Sequence, residues 1–583
     1  MLYYSLLLLL ALSHLLLQTH SSTIYVKYHT NCDGSGDGTL TTPYCNINDA
    51  FSQLKSIISS DSAVIISLMT SDTRPSENEG FNQFWIDSID LAVSNLSLTI
   101  SNYNSSFDEI TDVFDLSYCN MLPTLVFDLR PGDGKTSEPH TYAFDGFYSI
   151  AFQNVKILIK DNGYNDTASN MRCSGFSNRV DFGSRLTYFE LQNSCVSSSY
   201  DLINDSVPNE SREVYQAMVV RELTTLKIEN VIMDEMFCNG FEFGGVLANA
   251  SISQVKIYVP PTIWDDINLD SSQKYAPAIF SITGGSDSAA LNITGVTFLV
   301  STTEITSEFF SSGFPREGPY NLYPVLTASA FLEISVSNVE MNGTAIAFDS
   351  SNVFSFGRSK SVSLSNIFVH DMTINHWEST VTPLKFFELT SVKEVTITSM
   401  TMQSTVINWQ STMFTNFVFL YINVINDSQD APVRGHVIFS DMNFTSNSFL
   451  GIRDHFWLIQ IETSGETSEN PIDSLVVENL RFETIVSNGT SLFEYNPLIQ
   501  ANVNGLSGEM QKTHNFKNVV VSDCTLNNTI VFAFKFGSAR AVPPPIEPER
   551  IEFKEFQFLN NFISYGTNYD SAGWLAAIQN EGY

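Results

Sequence analysis

Leu226-Lys-Ile-Glu-Asn230-Val-Ile-Met233, Val362-Ser-Leu-Ser-Asn366-Ile-Phe-Val369 and Leu475-Val-Val-Glu-Asn479-Leu-Arg-Phe482 are one phrase written three times. Apolar residues alternate with other residues on both sides of an asparagine. Alternation with a period of two marks a strand with one buried face, and a polar residue that interrupts it marks a bend. Two short strands joined at a bend can bury their apolar face only against copies of the same unit. The phrase therefore predicts an all-β chain built as a parallel β-helix solenoid.

Aligning the bend of each related phrase gives Asn102, Asn154, Asn193, Asn230, Gln254, Gly295, Asn338, Asn366, Ser399, Asn423, Asp441, Asn479, Asn518 and Glu555, with Asn102 and Asn423 the poorest matches. From Asn154 onward the bends fall 18 to 43 residues apart. One coil needs about the smaller of these figures, so the larger ones imply either loops thrown out from a coil or a coil whose phrase is unrecognised. Loops are expected at Pro131–Lys135, Asp161–Asn165, Pro260–Ser272, Ser311–Pro324, Glu462–Pro471 and Ala541–Pro548, where Pro, Gly, Asn and Asp gather. A stack also has open ends. Asn46 to Ile58 carries apolar residues at helical spacing after a polar start, and is expected to cap the N-terminal end. The expected organisation is a signal peptide over 1–21, an N-terminal strand, disulfide loop and capping helix over 22–60, and the β-helix with its loops over 61–583.

The leucine run ending at Leu17, followed by Thr19, Ser21 and Ser22, reads as a secretory signal cleaved near Ser21. No later stretch supplies the roughly eighteen uninterrupted apolar residues of a membrane span. The expected address is secreted or cell-surface. Acceptor triplets for N-linked glycans follow at Asn95, Asn104, Asn165, Asn204, Asn209, Asn249, Asn292, Asn342, Asn426, Asn443, Asn488 and Asn527. A net charge of −34 argues against nucleic acid and anionic membrane as partners, because both require cationic patches. An extracellular glycan or surface protein fits better.

Seven cysteines in an oxidising compartment leave at least one thiol unpaired within the chain. Cys32 and Cys45 flank a Gly- and Asp-rich loop and are expected to bridge it. Cys173 and Cys195 stand about one coil apart, and stacked strands about 4.8 Å apart suit a disulfide, so they form the second expected pair.

The bend repeat, together with the opening Ile24-Tyr-Val-Lys, Asp33-Gly-Ser-Gly-Asp-Gly38 and Thr42-Pro-Tyr-Cys-Asn-Ile-Asn-Asp-Ala50, resembles exported right-handed parallel β-helix proteins of the pectin lyase-like superfamily. The resemblance implies a right-handed helix whose first strand, glycine turn and capping helix lie in that opening. It implies no single activity, since the superfamily includes lyases, hydrolases, esterases, adhesins and surface proteins.

Hydrolase relatives use clustered aspartates with a histidine and a basic partner, because one acid protonates the leaving oxygen while another activates water. This chain offers only fragments: Asp265-Asp266 after Trp264, His370-Asp371, and Gly435-His436. Arg179-Val-Asp-Phe-Gly-Ser-Arg185 is the one segment resembling lyase or esterase chemistry, and it lacks partners. Asp33 to Gly38 fits the first half of a calcium loop, but Tyr44 stands where the bidentate Glu belongs. No catalytic set, metal or cofactor is expected. Many of the 44 phenylalanines occupy apolar positions of the repeat and are expected inside it. Trp264 and Trp377 stand in or beside loops and, with Asp265 and Asp266, are the candidate ligand-binding residues. The functional expectation is a non-catalytic scaffold or adhesive recognition module. The alternatives are a diverged polysaccharide lyase or glycoside hydrolase, and the ectodomain of a membrane receptor if the natural chain is longer.

Overall fold

A computed structural model describes residues 21–27, 36–57, 63–69, 83–86, 89–103, 116–128, 142–166, 170–172, 180–183, 185–203, 218–234, 240–259, 279–286, 288–300, 325–347, 352–376, 384–409, 416–425, 435–452, 455–464, 472–489, 496–505, 513–527, 529–538, 550–564 and 576–581. Residues 1–20 of the expected signal segment lie outside them, and Ser21 opens the first strand. Within them the chain is almost entirely β, with parallel strands stacked repeat upon repeat. Strand Ile472–Glu483 pairs in parallel with Gly435–Thr445 on one side and with Thr513–Ser522 on the other. Val486–Gly489 lies between Ser448–Ile452 and Thr525–Asn527, and Asn496–Gly505 between His455–Ser464 and Thr529–Ser538. Each of these repeats thus feeds three strands in succession to three parallel stacks. The arrangement is consistent with a β-helix-like solenoid.

Residues of alternating parity point inward. In one repeat Leu475, Val477, Leu480, Phe482 and Ile485 are all buried, and their counterparts Val437, Phe439, Met442 and Phe444 precede them in register. Stacking like on like aligns aromatic rings along the axis: Phe444 and Phe482 are 5.3 Å apart, Phe354 and Phe387 5.1 Å. Such columns bury large area, and apolar burial is worth about 25 cal/mol per Å². The expectation that Phe lies inside holds at Phe482 but not at Phe368, which points outward.

The bends have a common backbone. Asn154, Asn193, Asn230, Gln254, Asn338, Asn366, Ser399, Asp441, Asn479, Asn518 and Glu555 have φ between 47° and 58°, and Gly295 has 68°. This left-handed region is sterically costly for most residues, and Asn adopts it most readily after Gly because its short amide bonds locally. Here the amides also bond between repeats. Asn479 Nδ2 donates to Asp441 Oδ1 at 2.8 Å, and Asn518 Nδ2 donates to Asn479 Oδ1 at 2.8 Å. Asn230 to Asn193 and Asn366 to Asn338 repeat the contact at 2.8 and 3.1 Å. Asn102 and Asn423 lack this backbone conformation. Asn423 lies within the strand Asn416–Ile425, which belongs to a different stack, so its phrase is a chance likeness.

Sequence reading misses a second series of left-handed bends at Asp371, Ser404, Ser446, Thr484, Asp523 and Asn560, each five residues after a member of the first. The residue after such a bend faces the interior. Asn447, fully buried, donates from Nδ2 to the Met402 carbonyl at 2.8 Å and accepts from the Thr405 amide at 3.0 Å. Cys524, also buried after its bend, is a free thiol.

The predicted cap forms as helix α1, Ile47–Ile57. The Asn46 carboxamide oxygen accepts the Asn48 amide at 3.0 Å, an N-cap, and Ile47, Ala50, Phe51 and Leu54 are buried against the first strands. Beside it, residues 36–44 run along the outer edge of strand Ser21–Lys27. Tyr25 N donates to Gly38 O, Tyr44 N to Tyr25 O and Lys27 N to Tyr44 O, each at 2.8 to 2.9 Å. The Tyr25–Lys27 part of the first edge is therefore covered.

Two expectations are corrected. Cys195 is bonded to Cys119, not to Cys173, with Cα atoms 5.6 Å apart. Cys119 ends a second short helix, α2 (Leu116–Cys119), which lies over the stack formed by strands Thr124–Asp128, Lys156–Asp166 and Leu186–Ile203. That placement, which spans 76 residues of chain, puts the Cys119 Cα within disulfide reach. Cys173 lies outside the described residues. Cys45 is disulfide-bonded, while its expected partner Cys32 lies outside the described residues. The second correction concerns Asp161 to Asn165, which is not a loop but the end of strand Lys156–Asp166, turned back antiparallel onto Asn170–Arg172. Of the other expected loops, Glu462 to Ser464 closes strand His455–Ser464, and the rest lie outside the described residues.

Candidate functional site

The candidate ligand-binding residues Trp264, Asp265, Asp266 and Trp377 lie outside the described residues, as does Asp33. Asp37 is spent on its own turn: its Oδ1 accepts the Thr39 amide at 3.0 Å and the hydroxyls of Thr39 and Thr42. Those bonds, Thr42 first, hold its carboxyl below the ordinary range. Asp181 and Arg185 do not pair with each other. Asp181 takes Arg221 at 2.7 Å, and Arg185 lies 3.5 Å from Glu222.

His370 is better placed. Its Nδ1 lies 2.9 Å from Asp371 Oδ2 and its Nε2 3.1 Å from Glu340 Oε1, while its ring stacks at 4.2 Å on the exposed ring of Phe368. Burial works to lower its pKa, but the bonds to Asp371 and Glu340 and their negative charge outweigh it, so the imidazole titrates above the ordinary histidine value. His436 bonds Ser474 Oγ through Nδ1 at 2.8 Å and lies on the strand Gly435–Thr445.

The richest polar cluster is one the sequence reading does not find. Strands Asn352–His376, Leu384–Gln403, Asn416–Ile425 and His455–Ser464 stack so that Ser355, Glu388, Tyr421 and Gln460 stand in one row. Lys385, Val418 and Trp457 stand in a second row three residues earlier. Between the rows two consecutive residues turn inward in every strand, as Phe386 and Phe387 do. The Glu388 carboxylate accepts Lys385 Nζ at 2.5 Å on Oε1, and Asn352 Nδ2 and Ser355 Oγ on Oε2, the latter at 3.2 Å. Glu462 accepts the Tyr421 hydroxyl at 2.8 Å on Oε2 and Gln460 Nε2 at 2.6 Å on Oε1. Lys385 Nζ also lies 3.8 Å from the centre of the Tyr421 ring, a cation–π contact. Burial, with the charges of Glu462 and Glu388, raises the Tyr421 phenol well above its ordinary value.

All four carboxylate oxygens in this cluster therefore accept a hydrogen bond, Oε2 of each glutamate from a neighbouring strand and Oε1 from its own strand. A general acid or base must present a lone pair or proton to a substrate, and an oxygen that already accepts one of the chain's own donors is less free to do so. What the cluster does is tie four repeats together across their outer face. The signal that could have revealed it is the pattern polar–apolar–apolar–polar at Lys385 to Glu388, echoed where Tyr421 and Gln460 end Val418-Phe-Leu-Tyr421 and Trp457-Leu-Ile-Gln460.

The acceptor asparagines divide by setting. Asn95, Asn249, Asn292 and Asn488 are exposed, and Asn342, Asn443 and Asn527 partly so. Asn165 lies in strand Lys156–Asp166. Asn104, Asn204, Asn209 and Asn426 lie outside the described residues. Among the described residues no helix is long and apolar enough to cross a membrane, and no group of three His, Cys, Asp or Glu is arranged to hold a metal ion. No protein-family model matches the chain. No curated protein matches it either.

Proposed function

We propose that the chain is an exported, glycosylated, right-handed parallel β-helix of the pectin lyase-like type, acting outside the cell as a non-catalytic scaffold or recognition module. The observation that carries this reading is the engagement of both carboxylate oxygens of Glu388 and of Glu462 by donors of the chain itself. The best-assembled acidic and aromatic residues on the outer face hold repeats together, which leaves them less available to a substrate. The handedness rests on chirality: a strand that crosses over to a parallel neighbour in the same sheet does so right-handed in about 98% of cases. Outward acceptor asparagines such as Asn249 and Asn292 fit glycans that leave the interior untouched.

The test is an activity and retention screen. Purified protein is incubated with neutral and acidic polysaccharides, with and without calcium, following new reducing ends and unsaturated products. The expected result is no product from any substrate, with retention on one of them identifying the ligand class. Product formation abolished by D265N/D266N or by H370N would overturn the reading in favour of a diverged lyase or hydrolase. Removal of N-linked glycans from secreted protein should lower its mass, and an unchanged mass would remove the glycoprotein part of the proposal.

A further inference from the structure

Phe368 is an aromatic residue in a polar row. In the register of the outer face it follows Thr297 and Glu340 and precedes Thr401 and Asn443, and it is 38% exposed. Two carboxylates fix a second ring against it: Asp371 and Glu340 bond the two nitrogens of His370, whose imidazole stacks on Phe368 at 4.2 Å. The two rings make a small plate that is already held in place, and a plate held in advance loses little freedom when something covers it.

The strand alongside indicates the cover. Asn342 opens the acceptor triplet Asn342-Gly343-Thr344, is partly exposed, and lies in Glu333–Ala347, which pairs in parallel with Asn352–His376. The register runs Glu340 to Phe368 and Met341 to Val369, then shifts and resumes at Gly343 to Met372, so Asn342 lies across from His370 and Asp371. Strands about 4.8 Å apart, with a rise of about 3.3 Å per residue, put the Asn342 and Phe368 Cα atoms about 8 Å apart on the diagonal. A sugar ring on the Asn342 amide spans such a gap, and the electron-rich face of an aromatic ring receives the axial C–H groups of a pyranose. The juxtaposition recurs at the exposed acceptor Asn95. In the register of Leu96 with Phe147, Tyr148, 50% exposed, stands one strand over and two positions along. On the reading of the chain as an exported glycoprotein, on which this inference rests, we propose that Asn342 carries an N-linked glycan whose first N-acetylglucosamine packs on the Phe368–His370 plate and fastens one repeat to the next. Attachment forms the bond from Asn342 Nδ2 to the anomeric carbon of a lipid-pyrophosphate-linked oligosaccharide, and releases the lipid pyrophosphate and a proton.

The experiment uses the secreted protein with its glycans trimmed enzymatically to one N-acetylglucosamine at each occupied acceptor. Glycopeptide mass spectrometry is expected to find Asn342 occupied. In NMR, the sugar signals that Asn342→Gln removes should lie upfield of those at acceptors without an aromatic neighbour, through the ring current of Phe368, and should lose that shift in Phe368→Ala. Hydrogen exchange reads the stabilisation: Asn342→Gln should speed the opening of peptides from Glu333–Ala347 and Asn352–His376 about fivefold when Phe368 is present, and leave it unchanged in Phe368→Ala. Phe368→Leu, which stays apolar but has no ring, should lose the upfield shift as the Ala variant does, and circular dichroism checks that each variant is folded. An unoccupied Asn342 beside occupied acceptors elsewhere would overturn this inference alone, whereas no glycan at any acceptor would remove the glycoprotein reading with it. Sugar signals indifferent to Phe368, or an equal effect of Asn342→Gln with and without the ring, would also overturn it.

Discussion

The Asn479 bend offers the sharpest test of what holds one repeat on the next. Asn479 has φ of 56° and bonds both Asp441 and Asn518 through its amide. Replacing it by Ala removes two exposed hydrogen bonds, together worth about 1 kcal/mol, and forces a Cβ-bearing residue without local bonding into the left-handed region, at roughly a further 1 kcal/mol. Replacing it by Gly removes the same bonds and the steric cost, but adds freedom to the unfolded chain worth about 0.5–1 kcal/mol. Ala should therefore destabilise by about 2 kcal/mol and be the worse of the two by several tenths of a kcal/mol. Glu478→Ala, next to the bend but outside it, should stay within about 0.5 kcal/mol. Because each repeat contacts only its neighbours, the effect should be local. Hydrogen exchange of peptides covering 472–489 and 513–522 reads it directly: roughly thirtyfold faster opening for Ala, clearly less for Gly, and no change near 63–69. An Ala variant as protected as the Gly variant, or acceleration spread evenly along the chain, would refute the argument from backbone conformation.

Asn447→Ala strands the Met402 carbonyl and the Thr405 amide in the interior and should cost about 2–4 kcal/mol, seen as a lowered midpoint in urea. Cys524, whose thiol burial raises to about 11, should resist iodoacetamide at pH 8 in native protein and be alkylated after denaturation, as peptide mapping will show. His370 carries a pKa raised above its unfolded value of about 6.5, so its stabilising contribution is full below that pH and disappears as pH rises through the folded pKa. The loss of Tm in His370→Gln should accordingly be larger at pH 5.5 than at pH 8.5. Glu340→Gln should move the imidazole titration, followed by NMR, to lower pH.

Much of the repeat is legible because it is local. Asn230, Asn366 and Asn479 sit between alternating apolar residues, and both the alternation and the left-handed preference of Asn are properties of a few adjacent positions. The second bend series is not legible, because Ser404, Ser446 and Thr484 are residues common in any polar stretch, and only the backbone shows their shared conformation. Cys119–Cys195 escaped because its geometry depends on α2 lying over the stack, which no spacing rule encodes. The Glu388–Tyr421–Glu462 cluster escaped for a related reason. Its members come from three strands, and their meeting depends on register across inserts of unequal length. Asp265 and Asp266 drew attention as adjacent acids, whereas the acids that the described structure brings together lie far apart in the chain.

The covered first edge has a bearing on how the molecule comes into being. Each described repeat is hydrogen-bonded to the one before it, whereas the first described strand, Ser21–Lys27, meets α1 and residues 36–44 in place of a preceding repeat. With α1 and residues 36–44 in place, each completed repeat offers an edge on which the next can pair, so growth in the direction of translation is an order the architecture allows. A lesion in Ser21–Lys27 should therefore disturb the laying down of the repeats that follow it, whereas one in Arg550–Leu559 spares the repeats before it.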